Sequence, residues 1–73
     1  MIQVSGKDLI RVLERAGWVR MPSGGGSHVK LRRLNGNGRV IVPVPGSRPL
    51  PPGTLKGDLA QAGLSERELE GLL

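Results

Sequence analysis

The chain is 73 residues long, contains no cysteine, and carries 11 Lys and Arg against 6 Asp and Glu, for a formal net charge of +5. That length allows a single domain with a small, simply built core. Lack of cysteine excludes a disulfide framework or a thiolate metal site, and one histidine, His28, is too few ligands for a zinc site, so no metal is expected.

The excess charge is concentrated. Between positions 20 and 56 there are seven basic residues and no acidic one, whereas positions 58 to 73 are mostly acidic among their charges. A basic middle points to a polyanionic partner, with nucleic acid first, against the simpler reading of solubility alone. Trp18 is the only aromatic residue, which argues against a sheet that stacks bases on several rings. No apolar run approaches the roughly 20 residues of a membrane span, so no membrane partner is expected. The opening residues lack a charged stretch followed by an apolar one, so no signal peptide is expected and a cytoplasmic location fits.

The first predicted element is "SGKDLIRVLERAGW", starting at Ser5. Ser5 suits the N-cap, with Asp8 three residues on. Leu9, Ile10, Val12, Leu13 and Ala16 recur at helical spacing and predict one apolar stripe, with Lys7, Arg11, Glu14 and Arg15 outside. Gly17 suits a left-handed residue just past the helix, and Trp18 after it is read as core rather than as a base-stacking ring.

"WVRMP" predicts a short strand ended by Pro22, and "SGGGS" a flexible connection. "HVKLRRL" alternates: Val29, Leu31 and Arg33 fall on one side, His28, Lys30 and Arg32 on the other. "NGNG" supplies residues at ease with positive φ for a hairpin turn. "RVIVPV" is the β-branched partner strand, with Pro43 near its end or on an edge. "PGSRPLPPG" is a stiff connection without periodicity. "TLKGDLAQAG" puts Leu55, Leu59 and Ala62 on one helical face and stops at Gly63, with Gly57 weakening it by about 1 kcal/mol relative to Ala. Ser65 and Glu68 form a capping signal for a short last helix. Glu66, Glu68 and Glu70 are read as its solvated face.

The order is helix, three short strands, helix, short helix. Short links favour antiparallel pairing. Two helices on one sheet face give a two-layer α+β sandwich whose other face is open. On that open face, His28 with Lys30 and Arg32 could cleave RNA without a metal. A base must take the ribose 2′-OH proton and an acid must protonate the leaving oxygen, and histidine suits either task. Nearby cations stabilise charge building on the phosphorane. The bland reading, a solvated surface histidine beside a flexible hairpin, is the commoner case for such a pattern. Gly24, Gly25 and Gly26 could let backbone N–H groups approach a phosphate. Their spacing does not match the phosphate loop of nucleotide hydrolases.

Three stretches together resemble the HicA toxins: "SGKDLIRVLERAGW", "GGGSHVKL", and "VIVPVPGSRPLPPGTLKGDLAQAGLS". The likeness spans nearly the whole chain, in order. It implies a fold like a double-stranded-RNA-binding domain over residues 1–73. It also implies an mRNA interferase, the toxin of a toxin–antitoxin pair, that cleaves mRNA and is masked by a HicB-like antitoxin. The family's catalytic histidine follows a glycine-serine pair, which is His28 after Gly26 and Ser27. Gly26, Ser27, Lys30 and Arg32 would then contact RNA, with no cofactor. Many members carry a second histidine two residues after the strand-ending proline, a position held here by Pro45. The alternative function is a non-catalytic module for double-stranded RNA.

Overall fold

A computed structural model describes residues 2–22, 27–34, 36–44 and 48–73 of the chain. Its elements are α1 (Gly6–Arg15), β1 (Trp18–Arg20), β2 (His28–Arg33), β3 (Arg39–Pro43), α2 (Pro52–Ala62) and α3 (Glu66–Leu72). This is the α+β order expected from the sequence.

Ser5 caps α1: its Oγ accepts from the Asp8 backbone N–H at 3.2 Å. Leu9, Ile10, Val12 and Leu13 are buried as one stripe, while Lys7, Arg11, Glu14 and Arg15 are exposed. Ala16 departs from the expectation and is exposed. It is the C-cap, beyond the last helical residue, so the helical period no longer decides which way it faces. Gly17 then takes φ 98°, which turns the chain into β1 with Trp18 buried.

The three strands pair antiparallel in the order β1-β2-β3. β2 is central, so its alternation governs both faces. Leu31 faces the helices with no exposed surface, beside Val40 and Val42 of β3, also wholly buried. β3 is an edge strand and Pro43 is its last residue, where a missing N–H costs little. Of the predicted turn, Gly38 carries the positive φ, 115°. Asn35 falls outside the described residues, as do residues 23–26 of the glycine-rich link and 45–47 after β3.

α2 starts at Pro52, two residues before the expected Thr54. Proline lacks the N–H that a first-turn residue leaves unpaired anyway. Leu55, Leu59 and Ala62 are its buried face, and Gly63 ends it at φ 71°. α3 has a complete capping box: the Glu68 N–H donates to Ser65 Oγ and the Ser65 N–H to Glu68 Oε1, both at 3.0 Å. One core cluster joins the layers, and it also takes in Val4, Leu50 and Leu69. Val4 and Leu50 are brought together where the Leu50 N–H donates to the Val4 carbonyl at 2.8 Å. The helices cover one sheet face. The other is open.

Among the described residues, no helix is long and apolar enough to cross a membrane.

Candidate nucleic-acid interface

The open face follows from strand alternation and register. His28, Lys30 and Arg32 are all exposed, and Val29 and Leu31 between them turn towards the helices. Across to β3, His28 stands opposite Pro43, Lys30 opposite Ile41 and Arg32 opposite Arg39. Across to β1, Arg32 stands opposite Val19. The face is therefore ruled in rows about 7 Å apart, two residues of strand rise each, and His28 lies about 13 Å from the Arg32 row. Ile41, nearly half exposed, is an apolar point among the cations.

His28 is the first residue of β2, and its position is fixed from both sides. The Ser27 carbonyl accepts from the Val44 N–H at 2.6 Å, which extends the ladder one rung past His28 and Pro43. Ser27 Oγ lies 3.5 Å from His28 Nδ1, at the outer edge of hydrogen bonding. This leaves Nε2 as the ring nitrogen with no close partner among the described residues. Gly26 falls outside the described residues, and so does Pro45. Of the five residues expected to form the site, the structure thus brings four onto or beside one face: Ser27, His28, Lys30 and Arg32.

Several cations near the helices are engaged by the fold. Arg33, one residue from Arg32, goes to the helix side. Its guanidinium lies 5.0 Å from the Trp18 ring centroid, and its Nη2 donates to the Ala62 carbonyl at 3.0 Å. That carbonyl ends α2 and has no partner within the helix, so Arg33 is held by the fold. Arg20 pairs with Glu14 at 3.2 Å, Arg11 lies 3.8 Å from Asp8, and Arg15 donates to the Leu72 carbonyl at 3.1 Å. On the open face, Lys30, Arg32 and Arg39 have no acidic partner among the described residues. Arg32 makes only a long 3.4 Å contact to the Arg33 carbonyl. All six acidic residues of the chain lie on the helices.

Sequence reasoning missed Arg39. Its signal was present, since Arg39 alternates with the buried Val40 and Val42. What was lacking was the hairpin register that sets it against Arg32.

Among the described residues, Asp58 is the one titratable group strongly perturbed. Burial in the helix layer raises its pKa from 3.8 to about 6, and its Oδ2 has no hydrogen-bond partner among the described residues. It sits on α2, away from the sheet face. A cleft of about 440 Å³ beside Trp18, Arg33 and Gly63 also belongs to the helix side, and none of the expected site residues lines it. Among the described residues, no three His, Cys, Asp or Glu side chains group as metal ligands would. The face offers an imidazole and three cations to an extended anionic chain rather than a pocket to a small molecule.

No curated protein matches the chain. A model of the family described as the HicA toxin of bacterial toxin–antitoxin systems matches residues 6–64, from the start of α1 to just past α2, and takes in the whole open face. The chain belongs to the HicA toxin family and is a toxin of the toxin–antitoxin kind.

Proposed function

We propose that this toxin is a metal-independent endoribonuclease that cleaves mRNA in the cytoplasm, as one domain spanning residues 1–73, and that a HicB-like antitoxin neutralises it by covering the open face. The observation that carries this reading is the exposed imidazole of His28 on the same acid-free sheet face as Lys30 and Arg32, in a chain of the HicA family.

In this reading His28 takes the proton of a ribose 2′-OH at Nε2. The 2′-oxygen bonds to phosphorus, and the bond from phosphorus to the 5′-oxygen breaks. The 5′-oxygen then needs a proton. Pro45 stands where many relatives carry a second histidine, so water or a basic side chain delivers it. Lys30, one row from His28 on the same face, is the nearest such side chain along β2. Lys30 and Arg32 hold phosphate and offset the charge that builds on the phosphorane. Ser27 supports the imidazole from its Nδ1 side, and Gly26 shapes the approach to it.

The test is RNA cleavage and growth arrest by the wild type and by His28→Ala, with folding checked by circular dichroism. Loss of one acid–base group is expected to slow cleavage by about 10² to 10⁴, and RNA binding should survive. Undiminished cleavage by a folded His28→Ala protein would refute the catalytic role. Salt-sensitive RNA binding by the wild type with no cleavage product would favour a non-catalytic RNA-binding module instead.

A further inference from the structure

We infer that Arg39 is a further RNA-contacting residue, acting with Arg32 as a two-guanidinium clamp on the phosphate backbone about 13 Å along the sheet from His28. The inference rests on the endoribonuclease reading and adds to it a residue and a path for the strand.

Arg32 and Arg39 are direct cross-strand partners on the open face, and both are exposed. Like charges placed opposite each other on a sheet oppose folding. Nothing in their row relieves this, because the third member is Val19, and the two have no acidic partner among the described residues. Nor can the pair easily slip apart. Arg39 follows Gly38, whose φ of 115° sets the hairpin's return and whose Cα side lies against the buried Trp18 ring. Leu31 and Val40, the next pair in register, are wholly buried. A one-residue slip of β3 would turn Val40 and Val42 out to solvent.

Arg33 supplies the contrast. It is the third arginine at this end of the sheet, and the fold uses it fully, over Trp18 and on the Ala62 carbonyl. Arg32 and Arg39 are left unused by the fold, at a cost in repulsion, with planar donors suited to phosphate oxygens. A stacked strand carries a phosphate about every 3.4 Å of its axis, so several phosphates span the distance from His28 to the pair. The scissile strand therefore runs along β2, its reacting phosphate at His28 and a phosphate farther along gripped by Arg32 and Arg39.

The test measures binding of a single-stranded RNA oligonucleotide across a KCl series, using His28→Ala protein so that the RNA stays intact. Adding Arg39→Gln or Arg32→Gln should each flatten the log–log salt slope by about 0.7, and both together by about twice that. Arg33→Gln is the control and should leave the slope unchanged. Arg39→Glu should weaken RNA binding while raising the melting temperature, because it turns opposed like charges into an opposite pair. An unchanged slope and affinity for Arg39→Gln, with wild-type cleavage intact, would overturn the clamp alone. A parent protein that binds no RNA at low salt would overturn both the clamp and the reading beneath it.

Discussion

Among the described glycines, Gly6 is the position where one added methyl group should do most harm. It opens α1 and is buried against the end of β3. A Cβ built there would lie far inside contact distance of the Pro43 carbonyl oxygen, 3.2 Å from its carbon and 3.3 Å from the Val44 Cα. All three atoms are backbone, so no side chain can rotate aside. α1 cannot lift away without unpacking Leu9, Ile10 and Leu13, and β3 cannot retreat without breaking the 2.6 Å bond from the Val44 N–H to the Ser27 carbonyl. Overpacking of this kind costs about 2–3 kcal/mol, which for a chain of this size lowers the melting temperature by about 10–20 °C. Gly57→Ala is the internal comparison. It sits in the interior of α2 with no atom within 4 Å of the new methyl, so the same substitution should stabilise by about 1 kcal/mol. Thermal and urea melts followed by circular dichroism read both. Because Pro43 stands opposite His28, Gly6→Ala should also cut RNA cleavage by more than its unfolded fraction explains. A Gly6→Ala protein melting within about 2 °C of the parent would refute the argument, since even 1 kcal/mol should move it by more.

Two further outcomes follow from groups in the helix layer. Asp58 has its pKa raised from 3.8 to about 6 in the folded protein, so between these values the native state binds more protons than the unfolded chain, and stability falls as pH rises through that window. The full shift corresponds to about 3 kcal/mol, and solvent screening of a partly exposed carboxylate reduces it to on the order of 1 kcal/mol. Asp58→Asn should therefore stabilise the protein at pH 7 and flatten its melting temperature between pH 4 and 6, and an unchanged pH profile would refute the assignment. Arg33→Ala should destabilise by about 1–2 kcal/mol through loss of the Trp18 stacking and the bond to the Ala62 carbonyl. It should leave RNA affinity unchanged, and weaker binding at unchanged stability would show that Arg33 serves the open face instead.

Much of the fold was legible because its signals are local. Ser5 and Ser65 can cap only the residues just after them, and Gly17 and Gly63 end helices where their φ values turn positive. The buried stripe of α1 follows from a 3.6-residue period and the faces of β2 from a period of 2. The misread Ala16 and the unread core residues lie where local order stops. Ala16 continues the stripe in sequence but sits past the helix's end. Val4 and Leu50 show no periodic pattern, because what buries them is a contact between two segments far apart in the chain.

The candidate site divides along the same line. Strand alternation by itself set His28, Lys30 and Arg32 on one face, and family likeness pointed to His28, because both are properties of consecutive residues. Adjacent arginines look alike in sequence, and nothing local says that Arg33 will be spent on Trp18 and the end of α2 while Arg32 remains free. That is decided when the α2 terminus is brought over the sheet, where an unpaired carbonyl and an aromatic face compete for the nearest guanidinium. The opposition of Arg32 and Arg39 is likewise a matter of register, which depends on how the hairpin closes and on burying Leu31 with Val40. The sequence determined which residues could face the solvent together. Only the tertiary structure decided which of the two adjacent arginines was engaged by Trp18 and the end of α2 and which stayed exposed opposite Arg39, because those partners are brought to the sheet by packing and register.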